Sequence, residues 1–230
     1  MFMTALRLST LAAALLFFTS AMILRPLAAI ADQPADNRPI TVVSTGVNEV
    51  IALFDNKEMP LTERRERLRE LAQKYFDFRD MARSVLGYHW RELRPEQRDR
   101  FVPLFSRFIE VAYLSKLHES SVRKVQEEVK TTQIRFTKET LEGPDYAQVD
   151  SIIAWRDQKD PIEVNYRMHR VDGQWRIYDV TVDAISVIAN FRNQFNRVIN
   201  NDGFDKLMAD LQAKQQQLQA YMDHPPVRSE

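Results

Sequence analysis

Apolar and polar side chains alternate along the stretch Ile162-Glu163-Val164-Asn165-Tyr166-Arg167-Met168-His169. Because successive side chains of a strand point to opposite faces of a sheet, this alternation predicts a strand with one buried and one hydrated face. The turn Val171-Asp172-Gly173-Gln174 follows and predicts a hairpin to a second strand, Trp175–Val182. The stretch therefore indicates an antiparallel sheet with the protein core on one side.

Weaker patterns on either side extend this sheet. Within Trp175–Val182, the apolar positions move from residues 175 and 177 to residues 178, 180 and 182, which predicts a bulge or a sharp bend. Before Ile162, a strand with Val149, Ile153 and Trp155 on one face follows a turn at residues 142–145. Alternation from about residue 122 to Phe136 predicts that the sheet begins there.

Helical periodicity surrounds the sheet. Apolar residues recur at helical spacing over residues 43–54, 62–76, 78–86 and 95–118 before it, and over 185–211 after it. Asp77 is placed to cap the third of these helices and Gly87 to end it, whereas Pro103 is expected to kink the fourth or delay its start. The predicted architecture is α+β, with N-terminal helices, a curved antiparallel sheet of about four to five strands and C-terminal helices.

The two ends of the chain are predicted to lie outside this domain. Residues 1–31 combine an early arginine, an apolar run from Leu11 to Leu24 and the small-residue site Ala29-Ile30-Ala31, which is typical of a cleavable secretory signal. An uncut membrane anchor is the alternative, although the apolar run is short for a span. Residues 32–39 are expected to be a flexible lead-in, residues 40–215 one domain, and residues 216–230 a disordered tail.

Composition excludes several classes of function. The chain has 32 basic and 32 acidic residues, so no excess of positive charge favours nucleic acid as a partner. It has no cysteine, and its five glycines form neither a P-loop nor a dinucleotide-binding motif. The histidines stand at no metal-ligand spacing: they are His89, His118, His169 and His224. Asp179 and Asp183 are candidate acids, but a lone Asp at a strand end is more often a cap. These residues therefore offer almost no candidate catalytic chemistry, and we expect no metal and no cofactor.

Large apolar side chains are the informative feature that remains. They are concentrated on the predicted helix 95–118 and on the strand faces between residues 149 and 182. A well-filled core explains such a set, and so does an apolar cavity between a curved sheet and a kinked helix. The pattern alone leaves both interpretations open, together with a small enzyme on a cone-like α+β fold and an adaptor with a filled core.

Three blocks of sequence carry a resemblance to a known family. The blocks are Tyr75-Phe76-Asp77-Phe78-Arg79-Asp80-Met81-Ala82-Arg83-Ser84-Val85-Leu86-Gly87-Tyr88-His89-Trp90-Arg91, then Pro95-Glu96-Gln97-Arg98-Asp99-Arg100-Phe101, then Gly173-Gln174-Trp175-Arg176-Ile177-Tyr178-Asp179-Val180 followed by Ser186 and Asn190-Phe191-Arg192-Asn193-Gln194-Phe195. Together they resemble the MlaC or toluene-tolerance family of periplasmic phospholipid-binding proteins, over roughly residues 40–215. Two positions depart from the family pattern. Pro103 is unusual in the long helix, and Ala184 stands where the pattern has a glycine.

The resemblance implies a periplasmic carrier of phospholipid rather than an enzyme. Its implied partners are an inner-membrane ABC lipid transporter complex and an outer-membrane lipoprotein–porin complex, and a hopanoid-associated branch of the family leaves the class of lipid open. The residues expected to line the lipid cavity face between the sheet and the helices. They are Phe101, Phe105, Phe108 and Ile109 on the helix, and Val149, Ile153, Trp155, Val164, Tyr166, Met168, Tyr178 and Val180 on the strands.

Overall fold

Helices precede and follow a single sheet, as the sequence predicts. The structure is a computed structural model that describes residues 37–155 and 160–224. The helices before the sheet are α1 (Pro39–Asp55), α2 (Leu61–Tyr75), α3 (Phe78–Leu86), α4 (His89–Glu92), α5 (Pro95–Leu114) and α6 (Glu119–Val129). The strands are β1 (Thr132–Leu141), β2 (Tyr146–Trp155), β3 (Ile162–Val171), β4 (Gln174–Val182) and β5 (Ile185–Ser186), and α7 (Val187–Asp202) and α8 (Phe204–Asp223) follow. The α+β prediction is confirmed.

The sheet is a meander in which each strand pairs with the next in antiparallel register. The strand order is β1-β2-β3-β4-β5, and Tyr166 at the centre of β3 lies opposite Val149 on one side and Val180 on the other. The register shifts between Arg167 and Met168, which confirms the bulge predicted in β4. A second shift lies in β1, and bulges of this kind bend a sheet and increase its twist.

The segment before β1 corrects one prediction. Residues 119–129 form helix α6, although the weak alternation from residue 122 had predicted a strand. Val122 and Val125 are buried and Val129 is partly buried, so the apolar residues recur at spacings of three and four. That spacing places the three valines on one helix face, which packs against α1.

Side-chain carboxylates fasten the helices to one another and to the sheet. Asp77 caps α3 as predicted, because its side chain accepts a hydrogen bond from the backbone N–H of Asp80. Glu139 on β1 accepts one from the N–H of Ile40 at 2.8 Å, which holds the start of α1 against the sheet. Asp179 accepts from the Ser186 hydroxyl at 2.7 Å and from a backbone N–H of α7 at 3.1 Å, so this candidate acid is a cap.

The ends of the domain differ in part from the prediction. Helix α8 continues to Asp223, so residues 216–223 are helical rather than part of a disordered tail. Its propensity explains this, since glutamine and alanine are good helix formers. Helix α5 runs without a break through Pro103, which stands on its exposed side. The signal 1–31, lead-in residues 32–36 and tail residues 225–230 lie outside the described residues.

One face of the sheet is covered by helices, and we call it the inner face. Helix α1 packs on β1 and β2, while α2, α3 and α7 pack on β4. Among the described helices, none brings its backbone as near to β3 as these helices bring theirs to its neighbours. Helix α5 lies farther out, against α3 and α8. The part of the inner face formed by β3 therefore lies between α1 on one side and α2, α3 and α7 on the other.

Ala184, where the family pattern has a glycine, lies in a strained turn between β4 and β5. Asp183 and Ala184 have φ values of 46° and 65°, a region that favours glycine. We expect Ala184→Gly to raise the free energy of unfolding by about 0.5–1 kcal/mol, because relief of the strain exceeds the entropy that glycine adds to the unfolded chain. Urea denaturation followed by circular dichroism measures this change.

The matched control for that prediction is Gly173→Ala in the β3–β4 turn. Gly173 has a φ of 80°, and no atom lies within 4 Å of the methyl group that alanine would add. This variant should therefore lose stability through backbone strain alone. A stability loss in Ala184→Gly would show that the turn tolerates alanine for another reason.

Candidate functional site

The predicted lining residues on β2 and β3 share the inner face. Val164, Tyr166 and Met168 are at most 2% exposed. The register places Val149 and Ile153 beside them on β2 and Val180 on β4, all buried. Trp155 ends the same row and is also buried. The inner face is thus a continuous apolar surface in the middle of the domain.

Tyr178 does not belong to this surface, which corrects the prediction. Its ring lies 5.4 Å from that of His169 and 6.2 Å from that of Tyr146, and the Arg167 guanidinium lies 5.3 Å from its centre. These are side chains of the opposite, outer face. The bulge is the reason, because the extra residue in β4 breaks the two-residue repeat that would have grouped Tyr178 with Val180.

The phenylalanines of α5 pack against another helix, α7. Phe101 and Phe105 lie 6.4 Å and 6.2 Å from Phe195, and Phe108 lies 5.8 Å from Phe191, all edge to face. We call these five residues the aromatic cluster. Ile109 is buried on the same helix. Sequence reasoning left Phe191 and Phe195 out of the site, although their spacing of four residues places them on one face of α7.

Tyr166 and Trp155 place hydrogen-bonding groups among the apolar side chains of the inner face. Among the described residues, the indole N–H of Trp155 has no hydrogen-bond partner, whereas the Tyr166 hydroxyl lies beside the Ser151 hydroxyl. The nearby Ser151 hydroxyl donates to the carbonyl oxygen of Val164 at 3.2 Å. Burial raises the pKa of Tyr166, while the neighbouring Ser151 lowers it to a smaller extent. Polar chemistry on the inner face is therefore centred on Tyr166 and Ser151.

Two of the histidines and the candidate acid Asp183 have identified structural contacts. His169 lies 2.9 Å from Asp77, which caps α3, and His89 lies 3.1 Å from Glu92 in the short helix α4. Asp183 accepts a hydrogen bond from the N–H of Glu163 at 3.1 Å, across the start of β3. Over residues 37–155 and 160–224, no group of three or more His, Asp or Glu side chains is arranged to hold a metal ion.

The burial of Tyr166 leads to a prediction about alkaline pH. The unfolded chain releases the phenol proton above its usual pKa of 10.0, whereas the folded protein retains it because burial raises the pKa. The folded state then binds one more proton, so stability falls as pH rises above about 10, by up to about 1.4 kcal/mol per pH unit. In Tyr166→Phe, the loss of stability that comes from the phenol of Tyr166 should be absent.

Urea denaturation of wild type and Tyr166→Phe at mildly and strongly alkaline pH measures the difference. Other tyrosines contribute equally to both proteins and cancel in the comparison. The matched control is Tyr178→Phe, whose phenol is only partly buried on the outer face. Parallel pH profiles for wild type and Tyr166→Phe would contradict the burial of a neutral phenol.

The sequence of this chain is similar to those of known proteins. The sequence profile of a family described as "MlaC protein" matches residues 44–213. The intermembrane phospholipid transport system binding protein MlaC of Haemophilus influenzae is 23% identical over 131 residues, which make up 56% of this chain and 58% of that protein. The matched region therefore spans less than two thirds of that relative's length.

The fold is similar to that of a solved structure. The phospholipid-binding protein from Ralstonia solanacearum, in complex with a phospholipid, superimposes with a TM-score of 0.64 at 18% identity. The similarity covers 79% of this chain and 99% of the other. Among the helices that the structure describes, none is both long enough and apolar enough to cross a membrane.

Proposed function

This chain belongs to the MlaC family, and from that premise we propose that it is a periplasmic carrier that binds a phospholipid with its acyl chains inside the domain. The carrier moves the lipid between an outer-membrane lipoprotein–porin complex and an inner-membrane ABC transporter complex. Its acyl chains lie between the inner face and the aromatic cluster. Residues 1–31 act as the cleaved export signal.

The packing around β3 is the observation that carries this proposal. Helices α1 and α7 pack on the strands at either side of β3, and no described helix brings its backbone as near to β3 itself. The side chains under this position are Val164, Tyr166 and Met168. Because these side chains are fully buried, acyl chains enter when the flanking helices move apart. Apolar walls of this kind are what hydrocarbon requires.

The energetics favour transfer between docked complexes over release into water. Two acyl chains of about 15 methylenes each gain roughly 24 kcal/mol on leaving water, at about 0.8 kcal/mol per methylene. This exceeds the strongest non-covalent affinities known, about 18–21 kcal/mol. A membrane solvates the chains about as well as the protein does, so exchange between the two is nearly balanced. The headgroup stays near the mouth in water, where it needs no buried charge partner.

Lipid analysis of the protein purified from the periplasm tests the binding. Organic extraction and mass spectrometry should yield phospholipid in near-stoichiometric amount. A hopanoid or another lipid in its place would support the hopanoid-associated branch of the family, which is the alternative. Protein that contains no lipid, and takes up none from vesicles, would instead support an adaptor with a filled core.

Transfer measurements test the shuttling. Labelled phospholipid should leave the protein faster for vesicles that contain the inner-membrane transporter complex than for vesicles of the same lipid without protein. Equal rates would contradict exchange at a docking site while leaving phospholipid binding intact.

A further inference from the structure

A tyrosine and a lysine stand at the C-terminal end of α5, on the side of the helix that faces the interior. The aromatic cluster occupies one side of α5, and on another side Glu110 forms an ion pair with Arg69 of α2 at 3.3 Å. Ile109, Tyr113 and Lys116 follow one another at spacings of four and three residues. This spacing places them in one row between the two contacts, and the row continues into the turn after the helix. Ile109 is buried, so the row faces inward.

The Lys116 ammonium lies against the ring of Tyr113. The distance from the nitrogen to the ring centre is 5.2 Å, which is that of a cation–π contact. Both side chains are partly exposed, yet burial lowers the pKa of Lys116 and raises that of Tyr113. Protein atoms therefore surround these two side chains while water still reaches them, as at the rim of a concave surface.

Lys116 differs from other lysines of the domain in its charge environment. Lys74 lies 2.8 Å from the carboxylate of Glu49, and Lys124 lies 3.6 Å from that of Glu128. Among the described side chains, no carboxylate lowers the free energy of the Lys116 ammonium, and burial alone acts on its pKa. A cation that is partly removed from water is stabilised when an anion pairs with it. The position therefore favours a ligand that brings a negative charge.

We propose that the Lys116 ammonium binds the phosphate group of the bound lipid and so favours phospholipids with a net negative charge. This inference rests on the proposed function and narrows its substrate class. Because Lys116 is partly exposed, a phosphate bound to it keeps its contact with water, and the headgroup stays near the mouth. The acyl chains then extend past the buried Ile109 into the apolar interior.

A competition between two lipids with the same acyl chains tests the proposal. The protein is equilibrated with vesicles that contain equal amounts of phosphatidylglycerol and phosphatidylethanolamine, and the bound lipids are quantified by mass spectrometry. The ammonium group of phosphatidylethanolamine partly neutralises its own phosphate, so this lipid forms the weaker ion pair with Lys116. Wild type should be enriched in phosphatidylglycerol by about fivefold, the upper end for a partly exposed ion pair.

Two variants of Lys116 determine whether its charge is responsible. Lys116→Gln should bind the two lipids in proportion to the vesicle composition, whereas Lys116→Arg keeps the charge and should keep the preference. Circular dichroism establishes that both variants are folded. Equal binding of the two lipids by wild type, or an unchanged preference in Lys116→Gln, would overturn the proposal. Uptake of neither lipid by wild type would instead contradict the proposed function itself.

Lys124→Gln is the matched control for the attraction between a cationic protein and an anionic vesicle. It removes the same charge from an exposed side chain of α6 and should retain the preference for phosphatidylglycerol. If Lys124→Gln and Lys116→Gln lost the preference equally, net charge rather than a binding site would set it, and the proposal would be overturned.

Inorganic phosphate distinguishes a lipid headgroup from a free anion of the same chemistry. Without acyl chains to hold it, a phosphate ion has only a partly exposed ion pair with Lys116, which is weak in water. Inorganic phosphate should therefore raise the melting temperature of lipid-free wild type no more than that of Lys116→Gln. A saturable rise that Lys116→Gln abolishes would overturn the assignment to a lipid and indicate a site for free phosphate.

Discussion

Met168→Asp is expected to leave the protein without bound phospholipid. Met168 is fully buried on the inner face, with Ala147 opposite it on β2 and Ile177 on β4. A carboxylate there would face hydrocarbon. Burial of an uncharged polar group without a hydrogen bond costs roughly 2–7 kcal/mol, and burial of a charged group costs more. Lipid extraction and mass spectrometry measure the loss, and circular dichroism with thermal melting establishes whether the variant is folded. Tyr166→Asp should behave in the same way.

The control for this experiment lies on the outer face. Ala154 on β2 is partly exposed and points away from its buried neighbours Ile153 and Trp155. Ala154→Asp should therefore bind phospholipid normally. If Met168→Asp does not fold, the neutral Met168→Gln, which is similar in size, should fold and carry less lipid. Folded Met168 variants with a full lipid load would place the acyl chains elsewhere in the domain.

Phe105→Ala is expected to cause a large loss of stability in the lipid-free protein. Phe105 is fully buried in the aromatic cluster, stacked 5.7 Å from Phe101 and edge to face with Phe195. Truncation of a core phenylalanine removes both its burial and its contacts, which typically lowers the free energy of unfolding by about 3–5 kcal/mol. Urea denaturation of lipid-free protein measures the change without the added stability of a ligand.

Tyr221→Ala provides the comparison for an exposed aromatic residue. Tyr221 is 41% exposed on α8, so its truncation should change stability by no more than about 0.5 kcal/mol. A loss below about 1 kcal/mol for Phe105→Ala would contradict tight packing. It would indicate instead that α5 and α7 separate easily without lipid.

Local periodicity accounts for the elements that sequence reasoning predicted well. Strand β3 alternates from Ile162 to His169, and α3 has both its capping Asp77 and its terminal Gly87. The side change in β4 marked the bulge, and the missing glycine at position 184 marked a turn that the structure shows to be strained. Each of these signals arises within a few residues of chain, where backbone geometry and side-chain pattern are coupled directly.

Helix α6 is where local periodicity was misleading. Its valines at positions 122, 125 and 129 fit a helix, but residues 125, 127 and 129 also alternate. Packing against α1 decides between the two, because burial of the valine face stabilises the helical form. A short segment with few apolar residues has no pattern strong enough to exclude the alternative.

The sequence alone determined the α+β class, the hairpin order of the main strands and the set of large apolar residues that form the interior. Only the tertiary structure decided which of these residues face one another. It placed the phenylalanines of α5 against α7 and moved Tyr178 to the outer face. The physical reason is that a periodic pattern specifies which side of an element is apolar, whereas the partner of that side depends on packing between residues far apart in the chain.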